Sequence, residues 1–294
     1  MMNRPLRGGE YSRMMTDSSF NLFFWSHTNL RSEDIHYRGN IVWLVGGSSG
    51  IGESLALRIS QFSPLLILSA RRTELLEEVA QKCRKVNPNV KVKILVMDIL
   101  DMDSHPRMCA EANEMFGRQV DIVILNTGRS QRAEWTDINP KVDEECFKIN
   151  TLGPVQLTRC LLKHLGLHPT GEKTTNLQLI VVSSVAGYLS ALLSPSYGAS
   201  KAALNSYFRL LSLEMGEKGV KVSIVAPSLV FAPNNPLTAF TEEVGKFSLF
   251  THSIPLIITI QSHNEVIDIP SSRHMNPDRA AQLISLAAVY EVSD

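Results

Sequence analysis

An α/β fold is predicted, with a doubly wound parallel sheet between two layers of helices. Three observations predict it. Six short apolar runs recur between residues 41 and 226. Each is β-branched and uninterrupted, as strands covered on both faces are. Helical patterns separate the runs, and the first of them opens on a cluster of glycines. Strand–helix alternation of this kind gives parallel pairing with right-handed crossovers.

Residues 1–37 read as an N-terminal extension. The first seventeen form a polar tail with Met and Arg residues. "SSFNLFFWSH" (18–27) is apolar but shorter than the about 20 residues a bilayer span needs. It also lacks the flanks of a signal peptide. Two readings of Phe20, Leu22, Phe23, Phe24 and Trp25 stand side by side: a peripheral membrane contact, or packing onto the main domain. Residues 38–294 read as one domain.

The expected strands are "IVWLV" (41–45), "PLLILS" (64–69), "VKILVM" (92–97), "DIVIL" (121–125), "LQLIVVS" (177–183) and "VKVSIVA" (220–226). "GIGESLALRISQF" is the first helix. "RRTELLEEVAQKCRK" is the second, with Thr73 as its expected cap and Asn87-Pro88 as its stop. "SHPRMCAEANEMFG" ends on Gly117. The two longest helices are "PKVDEECFKINTLGPVQLTRCLLKHLG" and "SYGASKAALNSYFRLLSLEMGEKG". A region at about 231–275 follows the sixth strand and carries Phe231, Leu237, Phe240, Phe247, Leu249 and Phe250.

Composition narrows the function. Lys plus Arg and Asp plus Glu balance at 29 each, which argues against nucleic acid as the main partner. Cys83, Cys109, Cys146 and Cys160 are scattered, with no metal-ligand spacing, and read as reduced core thiols.

Four places then carry chemistry. "VGGSSGIG" (45–52) joins the first strand to the first helix. Gly46 permits a tight turn, and Gly50 lets backbone approach a pyrophosphate at the positive end of the helix. With Ser48, Ser49, Ile51 and Gly52 it forms the candidate nucleotide cradle. The second strand ends "LSARR". A site preferring a free ribose has Asp or Glu there. Here Ala70 takes that place, and Arg71 offers a guanidinium suited to a 2′-phosphate, so NADP(H) is expected. Arg72 is left open. Asp98 and Asn126 stand at the carboxyl ends of the third and fourth strands, where ligands collect. In "SPSYGASKAALNSYF" (194–208), Tyr197 and Lys201 are one helical turn apart on one face. The cation favours phenolate and draws the Tyr pKa down from about 10. A solvated surface Tyr–Lys pair is the plainer reading of that stretch alone.

Taken together, the motifs resemble those of the short-chain dehydrogenase/reductase family. The resemblance covers roughly residues 38–230: the Gly46/Gly50/Gly52 turn, Asp98, "NTG" (126–128), Asn150, Ser184, and Y-x-x-x-K at Tyr197 and Lys201. It implies a Rossmann-type, three-layer fold. It also implies that Tyr197 is the catalytic acid/base and that Lys201 tunes it and holds the nicotinamide ribose. Ser184 then binds the substrate oxygen, and Asn150 holds a relay water. "LSARRTELLEEV", "FGRQVDIVILNTGRSQR" and "SSRHMNPDRAAQLIS" are similar to a narrower branch. That branch is NADP-dependent, and its members usually begin with a membrane anchor. It implies an endoplasmic reticulum membrane association, with a cytoplasmic location as the alternative.

Departures are Val45 for Thr, Leu125 for Asn, Ser228 for Gly and Ala232 for Thr. By resemblance, the apolar 231–275 region is a substrate lid for a hydrophobic carbonyl or alcohol such as a steroid, retinoid or other lipid. A catalytically silent NADP(H)-binding or scaffold protein is the alternative. The long helices around 142–165 and 196–215 suggest a homo-oligomer. The family's closing strand would start at "YEVSD" (290–294) and be short or missing, leaving the sixth strand as an exposed edge. Truncation is the expected explanation, with "PLIITIQ" (255–261) as a substitute edge strand the alternative.

Overall fold

The computed structural model describes residues 36–62, 64–227, 256–262, 265–271 and 277–290. Its first strand, β1 (Ile41–Val45), is buried at every position and alternates between two cores. Val42 and Leu44 face one layer, and Ile41, Trp43 and Val45 face the other. This explains the unbroken apolar run, since neither face of the strand meets water. Parallel partners follow: β2 (Leu65–Ser69), β3 (Lys91–Ile94), β4 (Ile122–Leu125), β5 (Leu177–Val182) and β6 (Val220–Ala226). β3 stops three residues short of expectation. Leu95 and Met97 still donate to the carbonyls of Leu68 and Ala70 at 3.0 and 3.1 Å.

The sheet order is β3-β2-β1-β4-β5-β6-β7-β8. Helix α1 (Gly50–Ser60) follows β1 and α2 (Thr73–Val86) follows β2. With α7 (Pro277–Tyr290) they cover one face, through Leu55, Ile59, Leu76, Val79 and Ile284. The opposite face is covered by α3 (His105–Glu114), α5 (Gly153–His164) and α6 (Pro195–Met215), through Met108, Leu157, Leu161, Leu204 and Phe208. α4 (Pro140–Phe147) packs on α6. The four cysteines are buried and free. Thr73 is the first helical residue of α2 and not its cap; extended Arg72 occupies that position without a side-chain cap.

The edge of β6 is not bare. β7 (Leu256–Ser262) pairs antiparallel with it, Val225 opposite Ile260, and β8 (Glu265–Ser271) pairs with β7. The substitute-strand alternative is therefore the one found. A row of unpaired backbone groups on an apolar strand costs free energy, and an antiparallel hairpin satisfies it. Part of the expected 231–275 lid is thus sheet. Residues 231–255, the N-terminal apolar stretch 18–27 and the closing segment 291–294 lie outside the described residues. At the end of the extension, Tyr37 is fully buried and donates to the Ser285 carbonyl at 3.0 Å. Among the described residues, no helix is long and apolar enough to cross a membrane.

Candidate active site

The site gathers at the carboxyl ends of β1–β5, near the β1/β4 switch point where strand order reverses. The chain leaves β1 through Gly46 at φ 92°. A Cβ there would stand 2.9 Å from the backbone of Asn126, and one on Gly52 would stand 2.0 Å from the Gly46 carbonyl. Both positions therefore exclude every side chain. A Cβ on Gly50 meets nothing within 4 Å, so that side of the turn is open. Gly46 and Gly47 both donate to the Ser69 carbonyl, at 2.7 and 3.1 Å, which ties the turn to β2. Asn126 Nδ2 donates to the Gly46 carbonyl at 3.0 Å. Asn126 thus spends its amide on holding the turn. With Ser48, Ser49 and Ile51 at the start of α1, this is a cradle that suits a pyrophosphate at a helix N-terminus.

Beyond β2, Ala70 is followed by two arginines. Arg71 Nη1 faces Asp98 Oδ2 at 3.9 Å. Arg72 Nη2 reaches Ser49 Oγ at 3.4 Å. Asp98 also accepts from the Leu100 amide at 3.0 Å. A cavity of about 240 Å³ lies beside them, lined by Arg71, Met97, Asp98, Asp101, Ser104 and Arg107 among others.

Asn150 sits in a π turn, Lys148–Leu152, between α4 and α5. The expected continuous helix is interrupted because Pro154 has no N–H for the carbonyl four residues back, which is that of Asn150. Gly153 instead donates to the Lys148 carbonyl five residues back. The wider turn leaves the Asn150 side chain buried beneath the site. Its Oδ1 accepts from the Arg129 amide at 2.7 Å, and its Nδ2 donates to the Arg129 carbonyl at 3.0 Å and Ser200 Oγ at 2.9 Å. Ser200 Oγ in turn donates to the Tyr197 carbonyl at 2.7 Å.

Ser184 follows β5 and caps a short turn, accepting from the Ala186 amide at 3.2 Å. Its hydroxyl is next to the Tyr197 phenol. Tyr197 and Lys201 lie on α6 as the spacing requires. Burial raises the Tyr197 pKa, and the neighbouring Ser184 hydroxyl opposes that rise. Burial lowers Lys201 to about 8. Its Nζ donates to the Val182 carbonyl at 2.9 Å. The expectation that Lys201 draws Tyr197 toward neutrality is not met in this arrangement: burial raises the phenol, and Lys201 Nζ is turned to the Val182 carbonyl. Lys201 Nζ and Asn150 Oδ1 flank Gly128, each 3.3 Å from where its Cβ would stand.

Supporting residues escaped the sequence. Ser183 Oγ bonds Asn205 Oδ1 at 2.5 Å, and Asn205 Nδ2 reaches the Gly187 carbonyl at 3.4 Å. The available signal was Asn205, a polar residue four positions after Lys201 on the buried face of α6. Of the departures, Val45 and Leu125 are buried core residues, while Ser228 and Ala232 lie outside the described residues. Among the described residues there is no cluster of metal ligands.

Three comparisons bear on this geometry. The short chain dehydrogenase family model matches residues 40–239. Dehydrogenase/reductase SDR family member 7 of Mus musculus is 37% identical over 76% of this chain and 64% of its own. The Homo sapiens protein of that name is 36% identical over 70% of this chain and 60% of its own. The chain thus spans less than two thirds of the length of these curated relatives. Among solved structures, a short chain dehydrogenase from Mycobacterium smegmatis superposes with a TM-score of 0.66, at 17% identity, over 87% of this chain and 89% of its own. Levodione reductase gives 0.60 at 21% identity, over 67% and 74%.

Proposed function

The chain belongs to the short-chain dehydrogenase/reductase family, and on that premise we propose that it is an NADP(H)-dependent oxidoreductase acting on a hydrophobic carbonyl or alcohol. The observation that carries the reading is the grouping of Ser184, just past β5, with Tyr197 and with Lys201 one turn along α6. The donor set fits a dinucleotide. The Gly46–Gly52 cradle has its open side at Gly50, Asp98 stands beside a cavity, and Ala70 takes the place of the ribose-binding acid with two arginines after it.

When bound, the nicotinamide supplies or accepts the hydride. The protein does the rest. Ser184 Oγ donates to the substrate oxygen, where negative charge gathers as the carbonyl is reduced. Tyr197, whose pKa is raised by burial, keeps its proton at neutral pH and delivers it to that oxygen. In the oxidative direction the same phenol oxygen receives the proton. Lys201 Nζ and Asn150 Oδ1, on either side of Gly128, suit a relay that resupplies it. Exposed Leu189 and Leu192, on the loop before Tyr197, supply apolar surface for the substrate.

The apolar stretch 18–27 supports a peripheral membrane contact, and the similarity to family member 7 an endoplasmic reticulum location. A homo-oligomer is favoured by the apolar outer face of α6. One observation favours the second reading, a protein that binds dinucleotide without turnover: Lys201 is engaged with Val182 and not with Tyr197.

NADPH consumption across a panel of steroid, retinoid and aliphatic carbonyls separates the two. Turnover is expected, falling about 10²–10⁴-fold in Tyr197→Phe with NADPH affinity little changed. Binding without turnover on the whole panel would establish the silent reading. Near-normal turnover in the phenylalanine variant would remove Tyr197 from the chemistry.

A further inference from the structure

From Tyr197 onward, α6 turns a winding polar stripe toward the end of β5: Tyr197, Lys201, Asn205 and Arg209, each one helical turn after the last. All four meet the same short stretch of chain. Tyr197 has the Ser184 hydroxyl beside it. Lys201 Nζ donates to the Val182 carbonyl at 2.9 Å. Asn205 Oδ1 accepts from Ser183 Oγ at 2.5 Å, and its Nδ2 reaches the Gly187 carbonyl at 3.4 Å. The Arg209 guanidinium lies over the Tyr188 ring, 5.1 Å from its centroid. Asn205 thus touches both sides of Ser184, the residue before it and the end of the turn after it. Asn205 and Ser183 are both buried. The fit is tight, since a Cβ on Gly187 would stand 2.8 Å from Asn205 Nδ2.

We propose that Asn205 is a positioning residue for the reaction: its one carboxamide brackets Ser184 and sets how far the Ser184 hydroxyl stands from the Tyr197 phenol. The proposal rests on the oxidoreductase reading above and adds to it a residue that touches no reacting atom. The sheet alone does not fix that separation. The Ser183 and Val185 amides donate to the Val225 and Pro227 carbonyls at 2.7 and 3.0 Å. These bonds register the end of β5 against β6 and its continuation, not against α6. Lys201 and Asn205 supply polar links to the helix, and Lys201 is the less constant of the two. Burial lowers its pKa to about 8, and the relay above asks it to pass a proton. Asn205 is neutral at every working pH and both donates and accepts through one planar group. Breaking its bonds would leave buried polar groups unpaired.

The test uses the purified chain without nucleotide, isotope-labelled at the tyrosine Cζ and followed by NMR, with the Tyr197 signal assigned through Tyr197→Phe. Ser184→Ala marks where that signal goes when the hydroxyl beside the phenol is lost. Asn205→Leu should move it in the same direction, because the Ser184 turn is released from α6. Leu161→Ala, a core truncation in α5, should lower the melting temperature and leave the signal in place. In the second arm, turnover with NADPH should fall about 10²-fold in Asn205→Leu, as about 1 Å of misplacement costs, with NADPH affinity unchanged. Ser183→Ala deletes one hydroxyl, should reproduce both effects in smaller measure, and decides the matter if Asn205→Leu does not fold. A Tyr197 signal that stays in place in both variants while Ser184→Ala shifts it overturns the proposal. So does an equal shift in Leu161→Ala, since any loosening of the core would then suffice. A signal unmoved by Ser184→Ala takes Ser184 away from the phenol, and the proposal with it. The NMR arm needs no turnover: if the unmodified chain reduces nothing on the panel, the oxidoreductase reading falls while the bracketing of Ser184 is still decided.

Discussion

Tyr197 and Lys201 are neighbours on α6, and burial moves their pKa values apart, the phenol upward and the ammonium downward. The phenol is raised, so it stays protonated; the ammonium is lowered to about 8, so it loses its proton far more readily than a surface Lys. Both favour the neutral forms, as desolvation must. For Lys201 this has a signed consequence. Between about pH 8 and 10.5 the unfolded Lys holds a proton that the folded one has shed. Stability therefore rises with pH across that window, by up to about 1.4 kcal/mol per unit. Below pH 8 both states are charged and the burial penalty is constant. The stability of the unmodified chain relative to Lys201→Met should climb between pH 8 and 10.5 in denaturant titrations. Parallel curves would mean that Lys201 keeps its proton at high pH.

At the level of elements, two features place these side chains. The turn Val185–Gly187 presses against α6 so closely that a Cβ on Gly187 would stand 2.8 Å from Asn205 Nδ2 and 2.9 Å from the Lys201 backbone. Gly187→Ala should push the Ser184 turn off the helix and cost about 1–3 kcal/mol as overpacking does. Turnover should fall more than nucleotide affinity, because the glycine cradle is elsewhere; an equal fall in both would show a general loss of fold instead. The second feature is β7, which has β6 on one side and β8 on the other. Thr259, Ile260 and Gln261 lie between both neighbours. Ile260→Pro, opposite Val225, should break the ladder and lower the melting temperature by several degrees. An unchanged melting curve would mean that β6 does not depend on this hairpin for its edge.

On the scale of the whole molecule, the central strands β1, β4 and β5 are buried on both faces, yet α6 keeps an apolar outer side. Tyr207, Leu210 and Leu213 are exposed, Leu213 by 74%. Their spacing of three residues puts them on one stripe, which a second copy related by two-fold symmetry would cover. A dimer is expected by light scattering, and Leu213→Glu should yield monomers without loss of secondary structure. If the unmodified chain is already monomeric at micromolar concentration, this stripe serves something else or nothing.

The sequence by itself determined the parallel sheet, the order of its first six strands' helices, and the positions of Gly46, Gly52, Tyr197 and Lys201. These are local matters: periodicity, a turn that excludes Cβ, and a one-turn spacing, each written within a dozen residues. Tertiary structure alone decided the rest. Asn150 lies under the site because Pro154 forces a π turn and Ser200, fifty residues away, receives its amide. The facing of Arg71 to Asp98 and of Arg72 to Ser49 depends on how β2 meets β1 and β3. The partner of β6 is a strand thirty residues on, chosen because unpaired backbone at an apolar edge must be satisfied by whatever chain can reach it. The pKa values of Tyr197 and Lys201 follow burial, which no spacing encodes: the helix repeat fixed who is next to whom, and only the packed fold fixed how little water they share.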